Sequence, residues 1–206
     1  MTSHWINGWR LTGLLSVLLT LMVIAIVGLH DFSIDGIRMA IRATARTSLI
    51  LFLPVFAASA LARLWPGDAT RWLRRNRRYL GVSFAASHGL HAIVIAAFAI
   101  GDPALFRSMT SIGTLISGGS AYLVIMAMAA TSFDRAVSWL GPRNWRALHW
   151  LGGWYIAVSF IVTNAKRIPD MPLYWLPVVL VLAAIALRLV SWWQGRRAPR
   201  MASAPV

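Results

Sequence analysis

The stretch RRYLGVSFAASHGLH, residues 77–91, sets His88 and His91 one helical turn apart in an otherwise apolar run. A third imidazole, His149, follows in ALHWLGGWY, residues 147–155. Neutral imidazole is a metal ligand and the usual axial ligand of b-type haem. One such histidine on an apolar helix is as readily an interhelical hydrogen bond. Three on two helices favour ligation of a metal or of haem iron. Competing chemistries are scarce. The chain has no cysteine, which removes disulfides, thiolate ligands, covalently attached haem and cysteine-held iron–sulfur clusters. It has no glutamate, and its six aspartates lie between the apolar runs, so no carboxylate pair works within them. There is no P-loop and no dinucleotide fingerprint, and no internal repeat of the transporter kind.

The elements that must position these histidines are membrane spans. The 206 residues are 58% hydrophobic and only 13% charged, outside the range of ordinary soluble domains. A bilayer core takes about 20 apolar residues per helix. Six runs qualify, at about 11–30, 47–64, 79–101, 111–131, 147–165 and 173–194. The expectation is one all-α transmembrane domain over 1–206, a six-helix bundle. The first run is too long for a signal peptide and has no convincing cleavage site, so it reads as retained.

The net charge of +14 is distributed as lipid topology requires, which argues against nucleic acid as a partner. Arg71, Arg74, Arg75, Arg77 and Arg78 follow the second span. Arg135, Arg143 and Arg146 follow the fourth, and Arg196, Arg197 and Arg200 end the chain. The connections at 102–110 and 166–172 are far less basic. Positive-inside logic then puts both termini in the cytoplasm. Trp9, Trp65, Trp72, Trp139, Trp145, Trp175, Trp192 and Trp193 fall near span ends, as interfacial anchors do. Arg38, Arg42 and Arg46 dissent, because they precede the second span in what reads as an outer loop. They are expected on an interfacial helix or against a buried anion. Ionisable groups left inside the spans are His88, His91, His149 and Arg188, and groups at that depth are functional candidates.

RTSLILFLPVFAASALAR (46–63), RNRRYLGVSFAASHGLH (75–91) and ATSFDRAVSWLGPRNWRALHWLGGWY (130–155) together resemble the ferric-reductase-like transmembrane family. The likeness is strongest to members that serve a periplasmic methionine sulfoxide reductase. It covers spans two to five in order. It implies a b-type cytochrome of the bacterial inner membrane that passes electrons outward, using histidines on the third and fifth spans. The implied donor is a quinone or a cytoplasmic flavin reductase, and the implied acceptor a periplasmic reductase subunit. Haem b is the implied cofactor, one or two copies, with FMN or quinone as further candidates. His91 and His149 match the family histidines, and Arg46 and Arg78 its basic positions. The family's second span-five histidine, thirteen residues after the first, is Val162 here, beside Thr163 and Asn164. His88 is an addition to the pattern.

Helical rise tests the pairing. At ~1.5 Å per residue His91 lies about 20 Å past Arg78, and His149 about 5 Å past Arg146. Measured from Asp102 and Lys166 the depths are about 16 and 25 Å. His149 is thus about 9–15 Å nearer the cytoplasm than His91, and about 5–10 Å nearer than His88. Two arrangements remain: His88 substitutes as the partner of His149, or His91 and His149 share one iron between tilted helices. Arg46, with Arg42, is the candidate for a haem propionate, since guanidinium suits carboxylates. The competing function is a haem-less six-helix scaffold or small transporter.

Overall fold

A computed structural model describes residues 6–197, which form helices and short turns with no strand among the described residues. Eight α-helices follow one another: α1 (Trp9–Gly28), α2 (Ile34–Leu64), α3 (Asp68–Gly101), α4 (Pro103–Met109), α5 (Ile112–Ala130), α6 (Asp134–Leu140), α7 (Pro142–Ala165) and α8 (Trp175–Arg197). A single 3-10 turn at Pro172–Tyr174 leads into α8. α1, α2, α3, α5 and the segment Pro172–Arg197 are each long and apolar enough to cross a bilayer. α7, the fifth of the six expected spans, is 24 residues long but less apolar. Its polar start, with His149, Gly152 and Gly153, dilutes the hydropathy of its first half. The chain is an all-α, multi-pass membrane protein.

Local chemistry fixes the ends. Ser33 caps α2, its Oγ accepting from Gly36 N at 3.2 Å. The turn before it is tight: Asp31 and Phe32 take φ of 50° and 53°, and a Cβ on Gly36 would run into His30. Asp102 ends α3 and caps α4, accepting from Leu105 N at 3.0 Å ahead of Pro103. Gly141, at φ 77°, turns the chain into Pro142 at the first position of α7, where proline is preorganised for a helix.

Two helices extend beyond the expected apolar runs. α2 starts at Ile34 rather than 47, so Arg38, Arg42 and Arg46 lie on its first turns, helical as one of the two expectations has them. α3 starts at Asp68, so the arginines at 71–78 ride the first turns of a 34-residue helix. Arginine is a good helix former, and a hydropathy window registers only the apolar part of such a helix.

The long helices alternate in direction. We term proximal the bundle end that holds Trp9, Leu64, Asp68 and Arg197, and distal the end that holds Gly28, Ile34 and Gly101. α2 and α3 make the most extensive helix pair, through small hydroxyl residues. Ser87 Oγ lies 3.0 Å from Ser48 Oγ and 3.2 Å from Thr47 Oγ1. Small, hydrogen-bonded contacts of this kind hold helices together where lipid removes the hydrophobic drive. An aromatic core sits between α2, α3, α7 and α8: Phe52 packs on Phe56, Phe84 and Phe160 at centroid distances of 5.1–5.6 Å.

Candidate functional site

His88 and His91 lie on the inner face of α3 with ring centroids 5.4 Å apart. A threonine sets the state of His91. Thr44, wholly buried, gives its hydroxyl proton to Ala40 O at 2.7 Å. Its Oγ1 lies 2.9 Å from His91 Nδ1. With its own proton committed, Oγ1 accepts from Nδ1–H. The lone pair of His91 is then on Nε2. A ring nitrogen held from behind is how proteins orient an imidazole ligand.

His88 lies one turn nearer the proximal end, among Phe84, Tyr122 and Phe160, with Tyr122 closest at 5.0 Å. Its Nδ1 is buried without a hydrogen-bond partner, as are Tyr122 OH and Trp154 Nε1. Buried polar atoms are normally satisfied, so Nδ1 of His88 and the Tyr122 hydroxyl mark a place where a polar or metal-bearing group would be accepted.

His149 is built on the same plan at another level. Thr131 donates to Ala127 O at 2.7 Å, and its Oγ1 lies 3.2 Å from His149 Nε2. By the same reasoning Nε2 carries the proton and the lone pair is on Nδ1. Trp145 lies against the ring at 4.4 Å, tilted by 32°, and donates its indole N–H to Thr131 O at 2.9 Å. This cluster belongs to the proximal end. There Arg78 bonds Asp134 at 2.6 Å and also reaches Ser132 O.

The structure therefore brings His88 and His91 together and sets His149 apart. The α7 residue facing His88 is Phe160, with ring centroids 6.3 Å apart. Phe160 is eleven residues past His149, about 16 Å along a helix. Phe52, Phe84 and Phe160, then Phe56 and Trp154, occupy the levels between. Neither His88 nor His91 stands opposite His149. Val162 is 45% exposed on the outer side of α7. Arg46 follows Thr44 by two residues, about 200° around α2, and is exposed. It does not share the face that holds His91.

Thr44, Thr131 and Tyr122 escaped the sequence reading, because hydroxyl residues recur throughout these helices and only a partner distinguishes them. The glycines flanking His149 have a packing role. A Cβ on Gly152 would collide with Met128 and come within 3.0 Å of Val124, while Gly153 backs onto Phe56.

Residues 39–160 match the family described as "Ferric reductase like transmembrane component". Among characterised relatives, the protein-methionine-sulfoxide reductase heme-binding subunit MsrQ of Ralstonia nicotianae is 26% identical, over 92% of this chain and 87% of that protein. The MsrQ of Cronobacter sakazakii is 29% identical, over 73% of this chain and 76% of its own length. No solved structure matches the chain. The family match covers residues 39–160, more than half of the chain, and the chain belongs to the ferric-reductase-like transmembrane family.

Proposed function

We propose that this chain is the haem-carrying electron-transfer subunit of an inner-membrane oxidoreductase system. The observation that carries the reading is His91, whose Nδ1 is engaged by Thr44 and whose Nε2 is left to ligate. The donor set fits haem b: neutral imidazoles with no thiolate or carboxylate beside them, and an unpartnered Nδ1 on His88 one turn away. The residues that would hold it are His91 through Nε2, with His88 lining the same level. Bound there, haem supplies a one-electron couple inside the bilayer. Thr44 keeps the His91 ring from rotating, and Phe84 and Phe160 keep water from that level. His149, with its own threonine, is the candidate for a second group at the proximal level.

The relatives are named as subunits of a methionine sulfoxide reductase, which supports a periplasmic reductase of that kind as acceptor. A quinone or a cytoplasmic flavin reductase is the proposed donor. The proximal end, with Arg71, Arg74, Arg75, Arg143 and Arg146, is the proposed cytoplasmic side by the positive-inside rule. The lack of native cysteine makes this directly testable. Ser108→Cys on α4 and Ser138→Cys on α6 are both exposed and stand at opposite ends. In intact spheroplasts a membrane-impermeant maleimide is expected to label Ser108→Cys only, and Ser138→Cys only after lysis. The reverse pattern inverts the topology.

The reduced-minus-oxidised absorption spectrum of the purified protein tests the function. Haem bands at about one per chain or more are the expected result. Phe160, rather than an imidazole, faces His88 across from α7, and this favours a haem-less scaffold as the second reading. A colourless protein that takes up no added haem would establish it.

A further inference from the structure

Three guanidinium groups border one cleft at the proximal end of the bundle, between α2, α3 and α8. The cleft, about 190 Å³, is lined by Arg63, Arg77, Arg188, Ser59, Ser191 and Trp192 among others. No carboxylate borders it. The ion pairs among the described residues join Arg38 to Asp35, Arg71 to Asp68 and Arg78 to Asp134, all elsewhere.

The three side chains are fixed by the bundle rather than by counter-charges. Arg77 donates through Nε to Val55 O at 3.1 Å and through Nη1 to Ser59 Oγ at 3.3 Å. Arg63 donates to Ser191 O at 3.0 Å and lies over Gly195, where a Cβ would strike its guanidinium. Arg188 donates to Phe56 O at 2.8 Å and lies over the rings of Phe56, at 4.2 Å, and Trp154, at 5.3 Å. Each guanidinium has five N–H donors, so most remain for a ligand. Three cations held together without an anion repel one another, and charge at membrane depth is normally paired.

Depth identifies the ligand. Arg196 and Arg197 stack on Trp192 and Trp193 at the end of α8, as interfacial anchors do. Arg188 is four residues before Trp192, about 6 Å further into the membrane. The cleft thus opens near the boundary between headgroups and acyl chains, with Trp192 beside it. Basic pockets between transmembrane helices at this depth suit lipid phosphates, and guanidinium pairs with phosphate oxygens in a bidentate way.

We propose that the Arg63–Arg77–Arg188 cleft is a binding site for the phosphate of an anionic phospholipid. The site ties α8 to α2 and α3 through the bound headgroup.

Thermal unfolding of the delipidated, detergent-purified full chain, with added phosphatidylglycerol, phosphatidylcholine or inorganic phosphate, tests this. A ligand specific to the folded state raises the melting temperature, and phosphatidylglycerol is expected to raise it about 5 °C more than equimolar phosphatidylcholine. Arg63→Gln/Arg188→Gln is expected to abolish that difference, whereas Arg71→Gln/Arg74→Gln, on the exposed face of α3, retains it. Should the cleft double variant fail to fold, Ser59→Phe fills the cleft with its cations intact and is expected to lose the difference as well. Equal shifts with both lipids, or a phosphatidylglycerol effect that survives Ser59→Phe, overturn the proposal. A full shift from millimolar inorganic phosphate, blocking any further lipid effect, assigns the cleft to free phosphate instead and equally overturns the lipid site.

Discussion

In a purified preparation, His91→Ala is expected to retain less than about a tenth of the haem held by the parent protein, measured as haem per chain. The magnitude follows from Thr44. Groups that merely orient an imidazole ligand are worth about 10–100-fold in metal affinity, and the ligand itself exceeds its support. Thr44→Val keeps the shape of the side chain and removes the oxygen that accepts from His91 Nδ1 at 2.9 Å. It is expected to weaken haem binding about tenfold, and Thr44→Ser to restore it. His149→Ala acts at a level about 20 Å away along the helices, separated by the phenylalanine column, and should leave the α3 haem in place. His88→Ala discriminates further. His88 has no partner for Nδ1, so a change from a six-coordinate to a five-coordinate spectrum would identify it as a second iron ligand. Full haem content in His91→Ala, with loss in His149→Ala, would move the centre to the proximal end and sink the α3 assignment.

Much of this architecture is legible without coordinates because lipid leaves few alternatives. A segment in hydrocarbon must satisfy its backbone internally, so each long apolar run becomes a helix, and the interior of each run fell within a helix. What hydropathy could not see was helical continuation into polar sequence. α2 gains the turns of Arg38, Arg42 and Arg46, and α3 those of Arg71 to Arg78. The two short connecting helices α4 and α6 escaped it for a related reason: seven residues, capped by Asp102 in one and opening on Asp134 in the other, carry no apolar period. Trp9 stacks on Phe133 at 5.3 Å and meets Tyr79 edge-on at 5.2 Å, so a tryptophan read only as a span-end residue also packs the proximal end of the bundle.

The histidines were legible by type and by depth, but not by partner. Counting rise along two helices separates His91 from His149 by about 9–15 Å, and the structure agrees that they occupy different levels. Rise does not tell which face of α7 turns inward. Thirteen residues from His149 lead to Val162, yet the side chain that meets His88 is Phe160. Nor does one dimension reveal that Arg63, Arg77 and Arg188, 125 positions apart at the extremes, share a cleft. Their grouping is a product of helix packing alone.

Gly152 is a point where that packing has little tolerance, and Gly152→Leu is expected to be strongly destabilising. α7 approaches α5 so closely there that even a methyl group would collide with Met128 and press on Val124 Cγ1 at 3.0 Å. A methionine tip can swing aside, but a β-branched valine on a helix has one favoured rotamer, so the helices themselves must separate. Separation would strain the remaining ties between them. Tyr155 OH donates to Ser117 O at 3.2 Å, Trp145 Nε1 to Thr131 O, and His149 bonds Thr131. Overpacking a tight core costs roughly 1–3 kcal/mol. At the upper end this corresponds to a fall in melting temperature of about 6–12 °C for a chain of this size. Gly118 on α5 supplies the control, since nothing lies within 4 Å of a Cβ placed there. Gly118→Ala should melt at or slightly above the parent temperature, because alanine favours the helix by up to about 1 kcal/mol. Val124→Ala added to Gly152→Ala should recover part of the loss by clearing the obstructing methyl groups. An unchanged melt for Gly152→Leu would mean that α5 and α7 do not meet at this glycine, and with it would go the placement of His149 against Thr131.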